Sequence, residues 1–236
     1  MHYYDFRHSL KSFALKHPFL LSLYRLSFGK IKTKFFFGIQ MKTLQKRGLP
    51  LIAQVVRKLE SEGACVFLDC GTLLGFMRDG KPIAWDRDID LGIYLNDQFS
   101  LSDLDTAMKE LGLKKSRAFF YQDKPYELSY SNGILNVDFF NHVEHDGFSS
   151  VYSFHRFEDR SYPSPKHFTV FISDWTPIES IDYLSVDGTK LPVPSNTDAY
   201  IASHYGADWR EPNPEWTYWM DNGIRELPGE FGILKD

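Results

Sequence analysis

Residues 85–93 read Trp-Asp-Arg-Asp-Ile-Asp-Leu-Gly-Ile. As a strand, this stretch sends Ile89, Leu91 and Ile93 to one face and Asp88 and Asp90 to the other, with Asp86 at the strand's mouth. Like charges at such spacing raise one another's pKa or demand a cation. The stretch therefore constrains the chain to a sheet with one apolar face and one face that gathers positive charge. Asp138 adds to this: it is a lone acid in the apolar run Ile-Leu-Asn-Val-Asp-Phe-Phe, residues 134–140, where an unpaired charge is expensive. On a neighbouring strand it completes a three-carboxylate set of the oxygen-rich kind that suits Mg²⁺ or Mn²⁺. An Asp-x-Asp-x-Asp run alone also describes a solvated edge strand, so its company decides between the two.

That company lies upstream. Cys70-Gly71-Thr72-Leu73-Leu74-Gly75 follows the short apolar run 64–69 and opens a helix. Gly71 lets a ligand approach the backbone closely. Thr72 offers an amide and a hydroxyl at a helix start, a place for phosphate. Arg78 and Lys81 follow and can neutralise more phosphate charge. Together these parts describe metal-assisted transfer of a phosphorus group, with a carboxylate activating the attacking hydroxyl.

The remaining pattern predicts a mixed α/β sheet with helices packed on it. Helices are expected over 48–62, ended by Gly63, from the turn after residue 69 to about Arg78, over 100–113 and over 195–206. Strands are expected over 64–69, 88–94 and within 146–157. Hairpins are expected around Asn132-Gly133 and Asp187-Gly188. Residues 158–177, with three prolines, and the Trp- and Pro-rich tail read as irregular. His155, His167 and His204 have no evident partners. The Trp216, Tyr218 and Trp219 cluster reads as packing of the tail.

Charge is uneven along the chain. Residues 1–50 carry ten Lys/Arg against one acid, and the rest carries 17 against 30. A division follows: a basic, aromatic-rich helical segment over 1–47, broken at Pro18, and a catalytic domain over 48–236. The segment suits contact with anionic lipid or packing on the domain. A net charge of -4 gives no sign of nucleic-acid binding, and 43% hydrophobic residues suffice for a core. No run of about 18 apolar residues or signal-peptide pattern is found. Two cysteines, read as buried small hydrophobes, fit a reducing compartment. The expected location is the cytoplasm, peripheral at the inner face of the membrane.

The stretch Leu68–Ile93 resembles the signature of LicD-type phosphotransferases, a family that includes the fukutin-related proteins. The shared pattern is Gly71–Gly75, Arg78, Ile83, Trp85, Asp86, Asp88 and Asp90; a later strand acid at Asp138 and a closing Tyr205, Gly206, Trp209 and Pro212 segment add to it. Ala84 departs from the usual Pro, and Arg87 from a common acid. The resemblance implies a nucleotidyltransferase-like fold and transfer of phosphocholine or a polyol phosphate from a CDP-linked donor to a hydroxyl of a cell-surface glycan or its lipid-linked precursor. Asp88 and Asp90 would hold Mg²⁺, and Asp138 would be a ligand or general base. Gly71, Thr72 and Arg78 would bind donor phosphate, and Asp86 would be an additional ligand or a group behind the ligands. The same carboxylates would serve a nucleotidyltransferase acting on a protein, RNA or small molecule, and a catalytically silent binding module is a third reading.

Overall fold

A computed structural model describes the backbone of residues 18–221 and 223–235, with side chains from residue 35 onward. The amphipathic turns expected over residues 1–17 lie outside the described residues. Helix α1 spans Pro18–Ser61. The sequence reading starts a helix at Gly48, because Gly48 and Pro50 each weaken a helix interior. The helix runs through both. Leu44, Ile52, Val55, Val56 and Leu59 are all buried, so one continuous inward stripe outweighs two poor helix formers.

There follow β1 (Val66–Leu68), α2 (Cys70–Asp79), β2 (Asp88–Ile93) and α3 (Leu101–Glu110). Ser100 and Asp103 form a reciprocal capping box at the start of α3. Then come β3 (Lys114–Tyr121), β4 (Lys124–Ser131), β5 (Asn136–Asn141), β6 (Val143–His145), β7 (Phe148–His155) and β8 (His167–Trp175). The chain ends with β9 (Ile181–Val186), β10 (Thr189–Pro194), α4 (Thr197–Tyr205), a 3₁₀ turn at Tyr218–Met220 and β11 (Ile224–Lys235).

Nine strands make one mixed sheet in the order β1-β2-β5-β4-β3-β11-β8-β7-β6, and β9 and β10 pair separately. β2 and β5 run parallel. The β9–β10 turn uses Asp187 and Gly188, both at positive φ, the geometry favoured for two-residue hairpins. The Asn132-Gly133 connection is longer than expected. Pairing stops at Ser131 and Asn136, and the Asn132 Oδ1 accepts from the amides of Ile134 and Leu135.

Two strands correct the sequence reading. Residues 167–175 form β8 within the stretch read as irregular, because Pro163, Pro165 and Pro177 flank that strand rather than interrupt it. The tail read as mostly loop contains β11, which lies in the sheet between β3 and β8. Pro228 and Gly229 obscure it. They fall where the register shifts between Glu226 and Phe231, and such an irregularity accommodates a residue without an N–H. The cysteine reading also changes: both are free, and Cys65 is exposed rather than buried. No helix among the described residues is long and apolar enough to cross a membrane.

The main core joins α1, α2 and α3 to one sheet face, with Ile89, Leu91 and Ile93 of β2 and Val137 and Phe139 of β5 at its centre. A smaller cluster of Phe119, Tyr121, Tyr126, Phe154 and Val170 packs around β3, β4, β7 and β8. Strand alternation then leaves Asp88, Asp90 and Asp138 together on the opposite face from the main core.

Candidate active site

The parallel register of β2 and β5 places Asp90 beside Asp138, and Asp88 beside Asn136. Two acids 48 residues apart in the chain thus become neighbours. Asp86, Asp88 and Asp90 line a cleft of about 780 Å³. Asp138 is buried one strand further in. Helix α2 starts against the same carboxylates. A Cβ on Gly71 would lie 3.0 Å from Asp86 Oδ2 and 3.3 Å from Asp90 Oδ2. The missing side chain is what allows the first turn of α2 to sit on both acids, and a helix N-terminus favours negative charge there.

The expected phosphate groups divide. Gly71 and Arg78 line the cleft, and Arg78 also pairs with Asp79 at 3.0 Å. Thr72 is buried, and its Oγ1 accepts a 2.8 Å hydrogen bond from the Asp90 amide, which ties α2 to β2. Lys81 is exposed and does not line the cleft. The chain turns at Gly80, in the left-handed region at φ 65°, and it is the Lys81 carbonyl that packs against Gly75. Arg87 lies over the Phe37 ring at 4.0 Å, so α1 holds the loop that carries the aspartates.

Burial and mutual repulsion dominate the electrostatics. Burial, with Asp88 adding to it, raises Asp86 to about 6 against the pull of Arg87 and Arg78. Asp90 rises well above the carboxylate range, from burial first and then from Asp88, Asp138 and Asp86. Asp138 rises to about 6 through burial, with Ser129 and Arg117 pulling it down. Its Oδ1 is buried without a hydrogen-bond partner.

Two functional candidates escaped the sequence reading. Arg117 on β3 and Glu127 on β4 pair at 2.7 Å, and Arg117 stands 3.6 Å from Asp138. Both line the cleft. Burial raises Glu127 to about 7 despite Arg117. Neither breaks the ordinary alternation of its strand, and only the order β2-β5-β4-β3 reveals that they continue the acidic row.

Aromatic rings make up another part of the lining. Trp175 stacks on His204 with centroids 4.2 Å apart, His204 on Tyr205 at 4.1 Å, and Tyr205 meets Trp216 at 4.6 Å. Trp209 and Tyr218 join them in the cleft, so Trp216 and Tyr218 do more than pack the tail. Burial holds His204 down at about 4 against the pull of Asp221, which keeps the ring neutral in the stack. His155 lines the cleft beside Tyr218. His167 bonds Ser164 and is not in the lining.

A buried bracket supports the start of α2. Asp69 Oδ1 accepts from the Cys70 amide and the Tyr200 hydroxyl, and Oδ2 meets His142 Nε2 at 2.8 Å. His142 Nδ1 in turn meets the Ser149 hydroxyl. Burial pushes the Asp69 carboxyl up, but His142 and the hydrogen bonds outweigh it and hold the value low.

The donor set fits a hard divalent cation. It offers carboxylate oxygens, one of them buried without a partner, on a row of acids whose charges oppose one another. Among the described residues, no three His, Cys, Asp or Glu side chains are gathered into a preformed metal cage.

Residues 63–196 match the LicD/FKTN/FKRP nucleotidyltransferase domain. The chain belongs to this family, and the mixed sheet described above is its nucleotidyltransferase-type fold. Among similar curated proteins, Ribitol-5-phosphate transferase FKTN of Mus musculus is 28% identical over 76% of this chain and 37% of its own length. The Homo sapiens FKTN is 29% identical over 77% and 36%. Ribitol 5-phosphate transferase FKRP of Mus musculus is 31% identical over 69% and 31%. The chain thus spans about a third of the length of these relatives. Among solved structures, the antibiotic-resistance factor ANT(2'')-Ia is similar with a TM-score of 0.44 and 14% identity, covering 73% of this chain and 78% of that one.

Proposed function

We propose that this chain is a metal-dependent phosphotransferase. It moves a phospho-substituent, such as phosphocholine or a polyol phosphate, from a CDP-linked donor to a hydroxyl of a cell-surface glycan or its lipid-linked precursor. Its curated relatives carry the name ribitol-phosphate transferase, and the observation that carries the reading here is Asp90 paired with Asp138 beside the cleft-lining Asp86 and Asp88. Asp88, Asp90 and Asp138 are the proposed holders of Mg²⁺ or Mn²⁺. When bound, the cation neutralises phosphate charge and favours attack at phosphorus.

The chain's own groups account for the rest. The cleft-lining backbone at Gly71 and the Arg78 guanidinium receive donor phosphate. In the alternative in which Asp88 and Asp90 alone hold the cation, Asp138 is the general base for the acceptor hydroxyl, since a raised carboxylate is a stronger proton acceptor than an ordinary one. The acceptor oxygen loses its proton, forms a bond to the distal phosphorus, and the bond from that phosphorus to the bridging oxygen breaks. CMP leaves. Aromatic faces around Tyr205 and Trp209 offer stacking surfaces for a base or sugar. The basic residues of 1–47 favour contact with an anionic membrane.

A thermal-shift series with CDP-choline, CDP-ribitol and CDP-glycerol, each with Mg²⁺, tests the donor. One CDP-linked compound should stabilise the protein, and Asp88→Ala should abolish that shift. Equal shifts in the parent and the variant would remove the carboxylates from donor binding. A second reading, nucleotidyl transfer, draws on the family's domain type; it would place attack at the proximal phosphorus and leave the nucleotide on the acceptor.

A further inference from the structure

Arg78, Arg87 and Arg117 line the cleft. Arg78 gives Nε and Nη2 to Asp79, and Arg87 lies over the Phe37 ring. Arg117 is the one paired with the acidic row. On β3 it lies opposite Ser129, and Ser129 lies opposite Asp138 on the next strand. Ser129 is small and buried, so the long arginine side chain crosses β4 over it and reaches two acids. Nη2 meets Glu127 Oε1 at 2.7 Å and Asp138 Oδ2 at 3.6 Å. Asp138 keeps Oδ1 without a hydrogen-bond partner, so the guanidinium adjoins the proposed cation site without filling it. The Arg117 side chain is 43% exposed, against 8% for Arg78. Among the described residues, its Nε and Nη1 have no acceptor. An anchored guanidinium with donors to spare suits a phosphate, which takes two of them at once.

We propose that Arg117 is a phosphate-binding residue of the cleft, holding the donor's diphosphate from the β3 side while Arg78 holds it from α2. Charge supports this role. Asp86, Asp88, Asp90, Glu127, Asp208 and Glu211 line the same cleft, and a diphosphate brings more negative charge among them. Cations beyond a single divalent ion are needed there. Glu127 and Asp138 fix the Nη2 end, and the planar fork then holds its remaining donors in place at little further entropic cost. The competing role is that of a counter-ion, in which Arg117 only neutralises Glu127 and Asp138. The proposal rests on the transferase reading for its phosphate-bearing donor alone. Nucleotidyl transfer also needs a diphosphate held, so an acceptor found carrying the nucleotide would sink phosphotransfer and leave Arg117 in this role.

The test is calorimetric titration of the full chain with inorganic pyrophosphate in the presence of Mg²⁺. Arg117→Gln should weaken binding at least about tenfold. That variant leaves Glu127 without its partner, so Arg117→Gln with Glu127→Gln is the decisive comparison. It removes one charge of each sign and leaves the net charge of the cleft as it was. A phosphate contact predicts that the double variant stays at least about tenfold weaker than the parent. Parent affinity in the double variant would overturn the proposal and leave Arg117 a counter-ion, and a parent that binds no magnesium pyrophosphate would overturn it too. Arg117→Lys keeps the charge without the fork and should lose part of the affinity; undiminished affinity there would contradict a forked contact. Binding of Mg²⁺ without pyrophosphate should persist in every variant. Its loss would overturn the assignment, because the pair would then be building the cation site instead of holding phosphate.

Discussion

At Asp90, the proposed hold on a cation and stability pull in opposite directions. Its half-buried carboxyl stands beside Asp88, Asp138 and Asp86, and ionising it there costs stability. Asp90→Asn is expected to stabilise the metal-free protein by on the order of 1 kcal/mol, while transfer falls at least about a hundredfold. Calorimetry and a turnover assay read the two effects; a destabilised variant would contradict the picture of opposed charges. The pH dependence has a definite sign. Asp86 and Asp138 lie at about 6 and Glu127 at about 7. A carboxyl raised on folding holds its proton more tightly in the folded state. The stability it gives is present at low pH and disappears as pH rises through the folded value. Melting temperature of the metal-free protein should fall from roughly pH 4 to pH 7, and a rise across that window would contradict the assignment. Asp88, Asp90 and Asp138 were legible because an acid in an apolar alternation has few explanations. Arg117 and Glu127 were not, because each looks like an ordinary outward residue until the strand order sets it beside Asp138. Nor was the Asp69–His142 contact, whose partners lie 73 residues apart.

At the scale of elements, the join between α2 and β2 is the sensitive point. The Thr72 hydroxyl is the acceptor for the Asp90 amide, so this residue positions a carboxylate. Thr72→Val keeps the shape and leaves that amide without its acceptor. The expected loss is about 1–3 kcal/mol in urea unfolding, with reduced transfer; Thr72→Ser should restore most of both. A Thr72→Val protein as stable as the parent would show that another acceptor replaces the hydroxyl. Local chemistry predicted α2, β2, α3 and the β9–β10 hairpin well, since caps, alternation and an Asp-Gly turn are short-range signals. β8 and β11 were hidden for a physical reason. β8 has buried residues on both faces and so shows no alternation. β11 carries Pro228 and Gly229 at its bulge, and its place in the sheet comes from pairing with β3 and β8. The continuity of α1 through Gly48 and Pro50 was likewise decided by packing.

Over the whole molecule, the sheet gives the site its two kinds of lining. Strands β2 to β5 supply the acids, and α4 with the segment after it supplies rings. The family model covers residues 63–196, which hold the acids, and most of the rings lie later in the chain. The most direct measurement is the product. The protein is incubated with Mg²⁺, an acceptor glycan and CDP-choline, CDP-ribitol, CDP-glycerol, CTP or ATP in turn, and the mixture is read by phosphorus NMR and mass spectrometry. The account predicts CMP and an acceptor bearing the donor's distal phosphate with its substituent, formed with one CDP-linked donor and lost in Asp88→Ala. An acceptor carrying the nucleotide itself, or the same product from Asp88→Ala, would contradict it.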